Sequence, residues 1–163
     1  MAKKTERIYW DSDCFLGFFN KEVEKITTCE HIVKKAHAGE IEIVYSVITL
    51  TEVIKMKDRP RLKEEQEEEI REFFDNEFLI PANVDEWIGT LARNLIWKHN
   101  TEPKDSIHVA TAIYHNIPIM NTFDEKLLGL DGELTLRNGD RLTICKPKEP
   151  PKPIPELFNG HQI

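Results

Sequence analysis

Residues 104–128 read KDSIHVATAIYHNIPIMNTFDEKLL. Small and apolar residues fill the first half, and Pro103 just ahead can open a helix because its missing N–H would have no partner there anyway. Asn116 is placed to end that helix. IPIMNT (117–122) predicts a strand, and DEKLLGL (124–130) a short second helix. The stretch therefore reads helix, strand, helix, with Asp105 opening the first helix and Asp124 following the strand.

Working outward, the same alternation recurs. RIYWDSDCFLGFF (7–19) predicts a strand over Arg7 to Trp10 and a helix over Asp13 to Asn20, with Asp13 as its N-cap. Apolar Val23, Ile26, Ile32, Val33 and Ala36 predict a helix over Glu22 to Ala38, stopped at Gly39. IEIVYS (41–46) is β-branched and aromatic, a second strand. TLTEVIKM (49–56) begins a helix with Thr49 as cap. RLKEEQEEEIREFF (61–74) predicts a helix with a thin apolar stripe and a solvated acidic face. FLIP (78–81) is a third strand. DEWIGTLARNLIW (85–97) places Trp87, Ile88, Leu91, Ala92, Leu95 and Ile96 on one helical face.

Strands that alternate with helices define an α/β fold, with a central, mostly parallel sheet of four to five strands flanked by helices. In LTLRNGDRLTI (134–144), Asn138-Gly139 between two β-like runs predicts a hairpin. Five prolines in the following KPKEPPKPIPELFNGHQI predict an extended tail. The expected organisation is one domain over 1–146 and a Pro-rich tail over 147–163.

Composition narrows the function. A chain of 163 residues with 40% apolar residues can bury one real core. A formal net charge of −7 argues against a general nucleic-acid-coating protein. Cys14, Cys29 and Cys145 are scattered and odd in number, and the six histidines lack zinc-like spacing with them. No disulfide framework, signal peptide or membrane span is expected, and the expected setting is cytoplasmic.

Four acids stand at strand-to-helix handovers: Asp11, Glu52, Asp105 and Asp124. In an open parallel sheet those handovers share one edge, where ligands bind. Clustered carboxylates repel, and a divalent cation removes the repulsion. Hard oxygen donors without His or Cys favour Mg²⁺ or Mn²⁺ over zinc. Such ions bind a phosphodiester oxygen, activate water and stabilise the leaving oxygen.

Three stretches carry a family resemblance. IYWDSDCFL (8–16) resembles the opening strand motif of PIN-domain nucleases, SVITLTEVI (46–54) their second motif with its helical Glu, and residues 104–128 their Asp-initiated helix and Thr-x-Asp strand end. The resemblance runs from about Ile8 to Cys145. It implies a Mg²⁺- or Mn²⁺-dependent endoribonuclease of the toxin type, with a homodimer and a small antitoxin-like protein as partners. Carried over, Asp11, Glu52, Asp105 and Asp124 are the catalytic, metal-binding acids, and Ser12 and Thr122 are supporting hydroxyls. Asp13 stands where the family commonly has Asn. His108 fits the family helix and is read as packing or hydrogen bonding. Arg93, Lys98, Lys104 and Lys126 are weak candidates for RNA phosphates.

Two rival readings remain at this level. Asp11 and Asp13 also have the spacing of haloacid-dehalogenase-like phosphatases. Against that reading, Cys14-Phe15 is not the usual small pair, and Glu52 and Asp105 go unexplained. The other rival is a PIN-fold binding module without chemistry.

Overall fold

The computed structural model describes residues 3–152. Five strands form one sheet in the order β3-β2-β1-β4-β5, and every pairing is parallel. They are β1 (Glu6–Trp10), β2 (Ile41–Ser46), β3 (Leu79–Ala82), β4 (Ile119–Asn121) and β5 (Thr143–Cys145). The helices are α1 (Ser12–Phe19), α2 (Ile26–His37), α3 (Thr49–Glu52), α4 (Glu67–Phe74), α5 (Glu86–His99), α6 (Pro103–Tyr114) and α7 (Glu125–Leu128).

Alternation along β1 divides the core in two. Ile8 and Trp10 face one layer, with Phe15, Leu16, Ile32, Val33 and Ile70 from α1, α2 and α4. Tyr9 faces the other, with Ile88, Ala92 and Leu95 of α5 and Val109, Ala112 and Ile113 of α6. Strand order runs outward from β1 to β3 on one side, then resumes at β4 on the other. The switch point therefore lies between β1 and β4, where an open α/β sheet forms its crevice.

Several boundaries depart from the sequence reading. Asp11, not Asp13, caps α1: it has extended backbone (φ −78°, ψ 173°) and accepts from the Cys14 N–H. The second helix starts at Ile26, four residues later than expected; the Lys25 and Ile26 N–H groups both bond to the Glu22 carbonyl, in a turn ahead of the helix. Thr49 is inside α3, whose cap position is Ile48. Residues 61–63 are extended or irregular, a 3₁₀ turn follows at Glu64–Gln66, and only then does α4 begin. Trp87 is 71% exposed, because Ile88, Ala92 and Leu95 fill the buried stripe of α5. The Asn138-Gly139 turn forms, with Gly139 at φ 92°, but its arms meet in a single antiparallel bridge, Thr135 to Arg141. The chain then leaves the turn to pair in parallel with β4 as β5. Of the expected tail, residues 147–152 carry no helix or strand, and 153–163 lie outside the described residues.

Candidate active site

The handovers place the four acids as their positions imply. Asp11 directly follows β1, Glu52 ends α3 behind β2, Asp105 lies in the first turn of α6, and Asp124 caps α7 behind β4. All four line one cavity of about 180 Å³, with Ser12, Asp13, Met56, Lys57, Arg59 and His108. A larger apolar cavity lies elsewhere, against Trp87, Leu91 and Tyr114, and contains no carboxylate.

Asp11 and Glu52 form the floor, each only 4% exposed. The Asp11 carboxylate accepts from the Cys14 N–H at 3.1 Å on one oxygen and from the Thr122 hydroxyl at 2.5 Å on the other. Burial pushes its pKa up, and His108, Thr122 and Cys14 pull against that rise without cancelling it. Glu52 Oε1 accepts from the Ser12 hydroxyl at 3.0 Å and from His108 Nε2 at 2.8 Å. Burial acts to raise Glu52 as well, but the hydrogen bonds and charge of its neighbours, His108 foremost, hold it below the ordinary glutamate value. Ser12 and Thr122 thus support one carboxylate each. Thr122 also accepts from the Asp124 N–H at 3.0 Å, which ties β4 to the start of α7.

Asp105 and Asp124 form the half-buried rim. Asp124 Oδ1 accepts from the Leu127 N–H at 3.0 Å. No described hydrogen bond reaches the Asp105 side chain. Burial raises its pKa, and the negative charge of Asp124 and then Glu52 raises it further, offset in part by His108. Mutual repulsion across the rim is the electrostatic condition that a hard cation relieves.

The donor set fits Mg²⁺ or Mn²⁺ in chemistry: four carboxylates from four elements, aimed into one cavity. The grip is open, however. Among the described residues, no three Asp, Glu, His or Cys side chains are drawn close enough to hold one ion.

Asp13 has a separate task. It accepts from Lys25 Nζ at 3.2 Å and pairs with Arg59, which also pairs with Glu22, while Lys25 reaches Glu22 at 2.9 Å. Two acids and two bases thereby pin the 56–59 loop over the start of α1. The expectation that Asp13 caps the helix is corrected: Asp11 does so, and Asp13 anchors Arg59.

The basic residues named from the sequence lie on α5, α6 and α7, outside the cavity lining. Lys104 is exposed at the start of α6, close enough for its charge to act on Glu52. Arg93, Lys98 and Lys126 are exposed on α5 and α7 and do not line the cavity. Lys57 and Arg59 do line it, and sequence reasoning missed both. The signal available was KDR (57–59), a basic pair a few residues past the second motif. His108 was assigned to packing or hydrogen bonding, and it is indeed 2% exposed with a hydrogen bond at each ring nitrogen.

A parallel α/β sheet with acids from four elements at its switch point defines a class of acidic sites rather than one protein. The PIN domain model matches residues 8–133, and the chain belongs to the PIN domain family, whose members are generally nucleases. Among solved structures, the chain is similar to a toxin–antitoxin complex from Klebsiella pneumoniae, with a TM-score of 0.62 and 18% identity over 88% of this chain and 99% of that one. It is also similar to VapBC2 from Rickettsia felis bound to a DNA fragment from their promoter, with a TM-score of 0.57 and 18% identity over 80% of this chain and 97% of that one. No curated protein matches the sequence.

Proposed function

We propose that this protein is a Mg²⁺- or Mn²⁺-dependent endoribonuclease, the toxin of a toxin–antitoxin pair. The observation that carries the reading is the convergence of Asp11, Glu52, Asp105 and Asp124 on one cavity at the sheet's switch point. Asp11, Glu52, Asp105 and Asp124 would hold the divalent ions, whose chemistry there would be activation of water and stabilisation of the leaving oxygen of a phosphodiester. The chain's own contribution is placement. Asp11 and Glu52 are held by several donors, Asp124 by the Leu127 N–H alone, and Asp105 by no described hydrogen bond. Ser12 and Thr122 keep the two floor carboxylates in place.

The substrate must approach an acidic protein, so cations near the cavity matter. Lys57 and Lys104 are exposed there and can meet backbone phosphates. Weak general affinity suits an enzyme that selects one folded RNA by its shape and an unpaired loop.

The similarity to toxin–antitoxin complexes supports an antitoxin-like partner, and a homodimer is part of the same reading. An exposed apolar groove along Trp87, Leu91 and Tyr114 is consistent with a protein partner. No described helix is long and apolar enough to cross a membrane, which accords with a cytoplasmic setting. In this reading residues 1–146 are the nuclease and 147–163 a tail available to a partner.

The phosphatase reading loses ground at Asp13, whose carboxylate is committed to Arg59 and Lys25. The silent-module reading leaves four convergent acids without a purpose. The deciding experiment is cleavage of a structured RNA in Mn²⁺, with and without chelator, beside Asp105→Asn. Metal-dependent cutting that the variant loses supports the proposal. An unchanged cut pattern in the variant, or tight RNA binding without cleavage, overturns it.

A further inference from the structure

The hydrogen bonds around Glu52 are lopsided. Both described donors, the Ser12 hydroxyl and His108 Nε2, meet Oε1, and none of the described hydrogen bonds uses Oε2. The imidazole that delivers one of them is itself fixed. Its Nδ1 lies 2.6 Å from the hydroxyl of Tyr9, a residue with no exposed surface. A carboxylate oxygen only accepts, so Nε2 is the donor to Glu52, and Nδ1 is left to accept from the Tyr9 hydroxyl. A ring whose Nδ1 accepts carries its proton on Nε2, and that N–H points at the carboxylate.

A buried core histidine needs partners for both nitrogens, and Tyr9 with Ser12 would suffice, since Ser12 Oγ lies 3.3 Å from Nε2. Here Nε2 is closer to a carboxylate from an element 56 positions away in sequence. Tyr9 of β1, His108 of α6 and Glu52 of α3 thus form a chain that links three elements and ends on one oxygen of one acid.

We infer that His108, oriented by Tyr9, is the positioning residue for Glu52: it holds Oε1 and presents Oε2 to the cavity as a single-oxygen donor to the cation. This rests on the metal-binding reading above. Without the tether only the Ser12 hydroxyl holds Oε1, and the rest of the ordering that the fold supplies in advance must be supplied by the ion. Ligand orientation by an outer hydrogen bond is worth roughly 10- to 100-fold in metal affinity.

The test is Mn²⁺ binding to the purified full chain, read by titration calorimetry and by the electron spin resonance signal of free Mn²⁺. The variants are His108→Leu, His108→Gln and Tyr9→Phe, with circular dichroism and the thermal midpoint as fold controls. His108→Leu should bind Mn²⁺ roughly 10- to 100-fold more weakly. His108→Gln, which keeps an N–H donor, should recover most of that loss, and Tyr9→Phe should fall between. RNA cleavage by the variants should recover as Mn²⁺ is raised, with KM for RNA unchanged at saturating metal.

Folded His108→Leu with wild-type Mn²⁺ affinity overturns the inference while the metal reading stands. If His108→Leu does not fold, wild-type affinity in Tyr9→Phe overturns it equally. A cleavage deficit that added Mn²⁺ does not reverse also overturns it. No Mn²⁺ uptake by the wild-type chain overturns the metal reading, and this inference with it.

Discussion

The floor and the rim of the acidic cavity are built on opposite principles. On the floor, Asp11 and Glu52 are nearly fully buried, and backbone, hydroxyl and imidazole donors fix them. On the rim, Asp105 and Asp124 are half-buried, share one described donor between them, and repel each other. Donors from the fold offset the burial of the floor charges, fully for Glu52 and in part for Asp11. The fold leaves the rim charges in tension. On the proposed reading, preorganised carboxylates beneath and mutually repelling ones above make a site that a cation would complete.

The hardest blow to this contrast is Glu52→Ala. It should abolish cleavage and also cost about 1–3 kcal/mol of stability, because His108 and Ser12 lose their shared acceptor in a buried place. Urea unfolding beside RNA cleavage checks both effects. An undiminished urea midpoint would mean that the floor is no better integrated than the rim.

Asp105→Asn should part the two effects. Cleavage should fall by roughly 10²-fold or more, as when a group facing the developing charge is removed. Stability of the metal-free protein should hold or rise, since the variant lacks the carboxylate that its neighbours repel. A clear loss of stability would place Asp105 with the floor.

Arg59→Ala probes the ion-pair cluster beside the cavity. Asp13 and Glu22 would then rely on Lys25 alone, at a cost of about 1 kcal/mol for a partly screened cluster. Metal affinity should be unchanged and KM for RNA should rise, because the loop carrying Lys57 loses its anchor. Reduced Mn²⁺ affinity would instead tie this cluster to the metal grip.

The smallest effect is in the pH dependence of the metal-free protein. Glu52 has a depressed pKa in the folded state, so its contribution is present above the ordinary glutamate value and is lost as pH falls through the depressed one. Asp11 and Asp105 have raised values, so their contribution is present below the ordinary aspartate value and is lost as pH rises through the raised one. Wild type should therefore match Asp105→Asn at about pH 3 and fall behind it by about pH 7, with both ordinary carboxylate values lying between. Urea midpoints across that range give the answer. Mn²⁺ should cancel the difference at the upper end for wild type alone.

Most of the frame was legible because period and handover are local properties. β1, β2 and α6 follow from runs of apolar residues and from Pro103, and each of the four acids stands next to a boundary that pattern alone can find. The failures have a common cause in contacts distant along the chain. Asp11 and Asp13 are both acceptable caps by residue type. Which one caps is settled by the extended backbone after β1 and by Arg59, 46 positions beyond Asp13, drawing that carboxylate away. Lys57 and Arg59 sit in a stretch without periodicity, so no pattern marked them as cavity lining. β5 was hidden inside a hairpin signal: the Asn138-Gly139 turn is real, but the strand after it gains more by pairing with β4 than with its own partner arm. His108 gave only its type, and the geometry on both sides of its ring comes from Tyr9 and Glu52.

A crystal of the full chain soaked in Mn²⁺, with anomalous scattering recorded at the manganese edge, tests the central claim most directly. The account predicts a peak in the cavity at about 2.0–2.2 Å from Glu52 Oε2 and Asp11, the range of a small octahedral dication, with Asp105 or Asp124 drawn in to meet it. Manganese bound only outside the cavity, or a peak there that touches none of the four carboxylates, would contradict it.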